Sequence, residues 1–186
     1  SRGLGDVYKR QLESASYGHG ITTTPLQAAA SYATLLNGGH LVKPTLIKLK
    51  EDKNEISRNI PRIISLDTSK KIEKILRKVV TDPRGTASLA NIFGYKVNGK
   101  TGTSEYYSDS SKNINTFISS FSPESGKYIL LLMMDNPQIA HDLVYNYRGS
   151  KVKGTRNESG WNAVYVAGKI IEKIGPILAI NKQDFN

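Results

Sequence analysis

The segment Gly99-Lys100-Thr101-Gly102-Thr103-Ser104 places a cation, three hydroxyls and two side-chain-free positions within six residues. The strand-forming start Tyr95-Lys96-Val97-Asn98 leads into it. A lysine ammonium on a strand beside a cleft supplies fixed positive charge to a nucleophile and to a substrate carboxylate. The hydroxyl of Thr101 can hydrogen-bond that carboxylate. Gly102 lets a ligand backbone pair closely along the strand edge. The backbone N–H of Thr103 can be offered where an oxyanion would form. A bare K-T-G also recurs by chance, as a solvated lysine where a strand meets a turn.

The surrounding sequence adds specificity. Gly18-His19-Gly20-Ile21 runs into Thr24-Pro25-Leu26-Gln27 and ends at Leu36-Asn37-Gly38-Gly39. Val79 to Ala87 reads V-V-T-D-P-R-G-T-A, and the tail carries Ser159-Gly160-Trp161-Asn162-Ala163. With K-T-G, these ordered motifs resemble the class B penicillin-binding proteins, the peptidoglycan transpeptidases, and the tail is most similar to the septal, division-type members. The resemblance extends from about Leu12 to Leu178.

That family uses three motifs, S-x-x-K with the acylated serine, then S-x-N, then K-T-G. The first two belong before the segment seen here. Ser150-Lys151-Val152-Lys153 spells S-x-x-K and Ser111-Lys112-Asn113 spells S-x-N, but both follow K-T-G in polar, loop-like sequence. Residues 12–186 are therefore expected to be a C-terminal part of the transpeptidase domain, lacking its own nucleophile and inactive in isolation. Residues 1–11, Ser1 to Gln11, do not resemble the family, and the similarity begins abruptly after them. They read as a foreign or scar segment.

The 186 residues suffice for one domain or a large part of one. No apolar run approaches the ~20 residues of a membrane span. The absence of cysteine excludes disulfides and thiolate metal sites. The formal net charge of +10 admits anionic partners. The basic residues are nevertheless dispersed, and the cluster Lys70-Lys71-Lys74-Arg77-Lys78 reads as the polar face of an amphipathic helix. The pattern therefore argues against nucleic-acid binding. His19, His40 and His141 are isolated, Asp135 and Asp142 lack partners at a useful spacing, and no metal or other cofactor is expected. Trp161 reads as core packing at a helix start, while Tyr106-Tyr107 reads as loop with a position near a cleft as the alternative.

Elements that would position these residues follow from the pattern. Thr24 as N-cap, Pro25 at N1 and Gln27 at N3 start a helix that Gly38-Gly39 stops. Residues 40–50 read as extended, 51–59 as a charged turn and 62–66 as a short strand. Ile72, Ile75, Leu76, Val79 and Val80 recur at helical spacing over 67–81. Strands follow over about 96–105, 116–121 and 127–134, the last two joined by 122–126. Residues 135–159 read as irregular. A last helix runs from Ala163 to about Ile174, ended by Gly175-Pro176. This order predicts an α+β layering with an antiparallel sheet flanked by helices. By resemblance, it is the second half of the penicillin-binding transpeptidase and serine β-lactamase-like fold, with a sheet edge left open near 127–134 and poor expression of the piece alone.

The resemblance also implies a serine acyl-enzyme formed on D-Ala-D-Ala of a peptidoglycan stem peptide, trapped by β-lactams and resolved by a neighbouring amine. Lys100 would support the nucleophile's network. Thr101 and Thr103 would hold the carboxylate, and Gly102 would leave room for the ligand. Cell-division proteins are implied partners, and the periplasmic face of the cell inner membrane the implied location. The alternative is a non-catalytic β-lactam sensor or interaction domain of the same fold. Reading the parent gene through codon 11 tests the junction. Divergence from residues 1–11 immediately before Leu12 is expected, and identical native codons would end the scar hypothesis.

Overall fold

The structure is a computed structural model describing residues 15–16, 22–47, 60–106, 109, 111–123 and 127–180. The expectations for residues 1–11, Gly18 to Ile21, the turn 51–59, Tyr107 and residues 124–126 lie outside the described residues.

Helix α1, Pro25–Leu36, begins as its sequence dictates. The Thr24 hydroxyl accepts from the Gln27 N–H at 3.2 Å, and the Gln27 side chain accepts from the Thr24 N–H at 2.9 Å. This closes a capping box around Pro25. The strand expected at 62–66 reduces to an isolated bridge between His40 and Arg62. Ser65 then caps helix α2, Leu66–Thr81, its hydroxyl accepting from the Thr68 N–H at 3.1 Å. The two helices are tied by Ser69, whose hydroxyl donates to the Leu35 carbonyl at 2.6 Å and accepts from the Gly38 N–H at 3.1 Å. Lys70, Lys71, Lys74 and Lys78 face solvent, as expected of an amphipathic helix. Arg77 turns inward instead and donates to the Val97 carbonyl at 2.5 Å and the Asn91 side chain at 3.0 Å. That clamp fixes the segment entering the K-T-G strand.

A three-stranded antiparallel sheet follows, β1 Asn98–Glu105, β2 Asn113–Phe121 and β3 Tyr128–Asp135, in spatial order β1-β2-β3. Among the described residues β3 has no strand beyond it. The sheet is packed on both faces. Phe117 and Phe121 meet Val97, Ala163, Val164, Ala167 and Ile171 in one core. On the other face, Ile118 and Ile129 pack against Tyr32, Leu36 and Leu76. Helix α3, Ala163–Ile180, thus covers one side of the sheet, while α1 and much of α2 cover the other.

Two further expectations are corrected. Residues 135–159 are not wholly irregular. They contain a hairpin, β4 Val144–Tyr147 and β5 Ser150–Lys153, with Tyr147 paired to Ser150 across a two-residue turn. Arg148 and Gly149 have φ of 53° and 81°, the signature of a type I′ turn. Arg at the first turn position conceals the signal that Asn-Gly would have given. Ser150 and Lys153, one of the misplaced motifs, are exposed on this hairpin rather than opening a buried helix.

The last helix also does not stop at Gly175-Pro176 but continues to Ile180 with Pro176 inside it. Proline in a helix interior costs ~3 kcal/mol. Packing offsets part of this cost, because Ile174 and Leu178 on either side of it both meet the core. Gly175 is required by close approach, since a Cβ there would lie 2.3 Å from a Tyr95 ring carbon. Gly175→Ala is accordingly expected to destabilise the parent protein by about 1–3 kcal/mol through overpacking. The effect should read as a lower denaturation midpoint with an unchanged m-value, and an unchanged midpoint would refute this packing.

Candidate active site

Three segments far apart in sequence meet at one cleft of about 570 Å³. Strand β1 contributes Thr101 and Thr103, the turn after α2 contributes Arg84 to Thr86, and the segment entering α3 contributes Glu158 to Trp161. The β4–β5 hairpin adds Tyr147 and Arg148 at the rim. The three segments are the motif regions read from the sequence, 79–87, 99–104 and 159–163.

Local bonding explains how each is held. The turn after α2 closes through the Gly85 N–H donating to the Asp82 carbonyl at 2.8 Å, and the Arg84 N–H donates to the Asp82 carboxylate at 2.8 Å. That backbone bond to Arg84 holds the Asp82 carboxyl below the usual carboxylate range, outweighing the opposing desolvation, with the Arg84 charge helping. The Ala87 N–H then returns to the Val79 carbonyl at 3.0 Å. This delivers Thr86 to the strand, where its hydroxyl lies 2.9 Å from that of Thr101. The pair holds two protons, and only one can lie between the two oxygens. The other is available to a ligand carboxylate.

Ser159 organises the opposite wall. It is 1% exposed, and its hydroxyl donates to the Gly102 carbonyl in a short contact. The same oxygen accepts from the Thr116 N–H at 3.2 Å and stands 2.9 Å from the Thr103 hydroxyl. The Thr103 oxygen in turn accepts from the Ser159 N–H at 3.2 Å. With Ser159's one proton directed at Gly102, the Thr103 proton is given to Ser159. Donation by Thr103 to a ligand carboxylate therefore requires that proton to leave Ser159, whereas the Thr101–Thr86 pair has one free already. Gly102 also has a reason internal to the sheet, since a Cβ would lie 2.6 Å from the Thr116 hydroxyl.

Lys100 does not line this cleft. Strand alternation puts it on the face opposite Thr101 and Thr103, register-paired with Ile118, which packs toward α1 and α2. Its ammonium is exposed and donates to the Thr101 carbonyl at 2.6 Å. Among the described residues no carboxylate pairs with it.

Trp161 departs from its expected place in the core. Half-buried, it stands 4.9 Å from the Tyr147 ring and 5.3 Å from that of Tyr145, and it walls the cleft. Tyr106 sits at the end of β1 with its hydroxyl on Asp135, a bond that raises the phenol above its ordinary value. His40 bonds the Arg62 side chain at 2.9 Å, and His141 is exposed. Among the described residues no three His, Asp or Glu side chains converge to hold a metal.

Sequence reasoning missed Thr86, Ser159, Arg148 and Arg156 as cleft residues. For the first two a signal existed, because both lie in motif segments whose chemistry was left unassigned. The latch at Ser159 is testable by Ser159→Ala. The substitution strands the Thr116 N–H and removes the partner of Thr103, at an expected cost of ~1–3 kcal/mol. A denaturation midpoint indistinguishable from wild type would show that the hydroxyl holds nothing.

Comparison with known proteins gives the family. The model for the penicillin binding protein transpeptidase domain matches residues 2–158. "Probable peptidoglycan D,D-transpeptidase FtsI" of Caulobacter vibrioides is 30% identical over 92% of this chain and 29% of its own length. "Stage V sporulation protein D" of Bacillus subtilis is 29% identical over 90% of this chain and 25% of its own. The chain thus spans under a third of the length of these relatives. Among solved structures, the transpeptidase domain of the FtsI4 D,D-transpeptidase from Legionella pneumophila superposes with a TM-score of 0.60 at 26% identity, over 91% of this chain and 53% of that one. The apo transpeptidase domain of penicillin-binding protein 3 from Burkholderia pseudomallei gives 0.62 at 22% identity, over 86% and 45% respectively, a likeness of fold alone. The chain belongs to the penicillin-binding protein transpeptidase family.

Proposed function

We propose that this chain forms the K-T-G side of the active site of a peptidoglycan D,D-transpeptidase that also binds penicillin and serves cell-wall synthesis at division. The observation that carries the reading is the convergence of Thr86, Thr101 and Ser159 on one face of β1, because it places a hydroxyl donor and an ordered strand edge at one cleft. In this reading a serine preceding the described segment attacks the carbonyl between two D-Ala residues of a stem peptide. The serine oxygen–carbon bond forms, the peptide C–N bond breaks, and the serine's proton leaves with the terminal D-Ala amine. An amine of a neighbouring strand then attacks the ester, restoring the serine and leaving a crosslink. A β-lactam follows the first half of this course and stays bound as the ester.

Each matched residue has a task that fits its environment. Lys100, exposed and without a carboxylate partner among the described residues, exchanges its bond to the Thr101 carbonyl for the nucleophile's network. Thr101, with Thr86, receives the terminal carboxylate, and Thr103 joins them when its proton is released from Ser159. The Thr103 N–H donates to the oxyanion. Gly102 keeps the strand edge clear for an extended ligand. Anchorage at the periplasmic face of the inner membrane and contacts with division proteins belong to this proposal too. Among the described residues no helix is long and apolar enough to cross a membrane.

A non-catalytic β-lactam sensor on the same fold would bind drug without joining peptides. Full-length parent protein, labelled with fluorescent penicillin and assayed for stem-peptide crosslinking, decides between the two. Lys100→Ala is expected to lower the acylation rate constant by ~100-fold or more, the scale of one lost electrostatic contact to the transition state. Labelling without crosslinking would favour the sensor. Undiminished labelling of Lys100→Ala would refute the assignment of the K-T-G lysine.

A further inference from the structure

We propose that the cleft beside β1 extends into a second anion-binding subsite, formed by Arg148 of the β4–β5 turn and Arg156 before α3, which takes a ligand carboxylate other than the one held at β1. The inference rests on the transpeptidase reading and names the ligand chemistry that reading leaves open.

The charge of the cleft is unbalanced. Arg84, Arg148 and Arg156 line it, against Glu158 as the one lining carboxylate among the described residues. Arg84 leans on Asp82 at 3.5 Å, whereas among the described residues no ion pair holds Arg148 or Arg156. Each guanidinium rests on one ring of the Tyr147–Trp161 pair. Arg148 lies 4.6 Å above the Tyr147 ring centroid, Arg156 lies 6.0 Å from that of Trp161, and the two rings stand 4.9 Å apart. Contact with a ring face leaves the N–H edge of a guanidinium free, and that edge matches a carboxylate bidentately. Arg148 uses one of its five donors on the Gly85 carbonyl at 3.0 Å, which ties the hairpin to the turn carrying Thr86.

The backbone supports the same conclusion. Arg148 occupies the first position of a type I′ turn at φ 53°, where Asn, Asp or Gly adopts the left-handed conformation with less strain. The residue that carries this strain sets its guanidinium at the rim of the cleft. A ligand with two carboxylates would place one at the Thr101–Thr86 hydroxyls and the other at a guanidinium edge of the same cleft. The second carboxylate can belong to the acylating ligand or to the incoming amine.

The test uses the full-length parent protein and two penicillins that differ by one carboxylate, benzylpenicillin and its side-chain α-carboxy derivative carbenicillin. Wild type is expected to favour carbenicillin, and the double variant Arg148→Gln/Arg156→Gln to lower the ratio of the two acylation rate constants by about tenfold, the loss of one charge-assisted contact. Arg148→Lys/Arg156→Lys is expected to retain part of the ratio, which loss of the hairpin fold would not permit. If the ratio stays fixed, a second arm compares D-glutamate with D-alanine as amines resolving a thioester-derived acyl-enzyme. A drop confined to D-glutamate places the subsite on the incoming amine. Ratios unmoved in both arms overturn the subsite while leaving the transpeptidase reading intact. A wild type acylated by neither penicillin overturns both.

Discussion

One buried hydroxyl holds the cleft side of this molecule in place. Ser159 bridges two neighbouring strands from outside the sheet, giving its proton to Gly102 on β1 and receiving the Thr116 N–H from β2. It also engages Thr103 through both its hydroxyl and its backbone N–H. An unpaired polar group in so buried a place is costly, so the segment before α3 has little freedom to lie elsewhere. Its position fixes Trp161 two residues on and Arg156 three residues back. Trp161 in turn seats Tyr145 and Tyr147, and with them the β4–β5 hairpin. Burial of Tyr145 beside Tyr165 raises its phenol above the ordinary value, first by desolvation and then by the neighbouring ring hydroxyl.

The sheet imposes a second constraint. Because strand side chains alternate, Lys100 cannot share a face with Thr101 and Thr103. The cation therefore points to the α1–α2 side, and the hydroxyls to the cleft shared with Thr86 and Ser159. A ligand lying along the edge of β1 is the one object that can meet both sides and the backbone between them. In the proposed function, this is how a short K-T-G strand would combine electrostatic support, carboxylate binding and backbone pairing. The two-sided core makes the strand firm enough for this. Phe117, paired with Thr101 in register, is buried against α3, while the next residue, Ile118, packs against α1 and α2.

The places where local pattern and structure diverge have physical causes. The capping box at Thr24 and Gln27 was legible because every partner lies within one helical turn. The end of α3 was not, because Gly175-Pro176 is a strong local stop that long-range contacts with Tyr95 and the core override. The β4–β5 hairpin was hidden by Arg at a turn position where Asn is the usual cue. Trp161 looked like a core residue from its place before an apolar helix. Its neighbours are instead the tyrosines of a hairpin that the pattern did not reveal.

The sequence by itself determined the family, the α+β layering and the K-T-G strand. Those depend on motif order, on hydrophobic period and on bonds between residues a few positions apart. The tertiary structure decided which of the motif residues share a cleft. Thr86 and Thr101 are 15 residues apart, and Thr103 and Ser159 are 56 apart. Contacts over such separations leave no periodic trace in the chain, because packing of α2, the sheet and α3 creates them. The same packing committed the Thr103 proton to Ser159 and set two guanidiniums in the same cleft, facts of geometry that residue type and spacing do not encode.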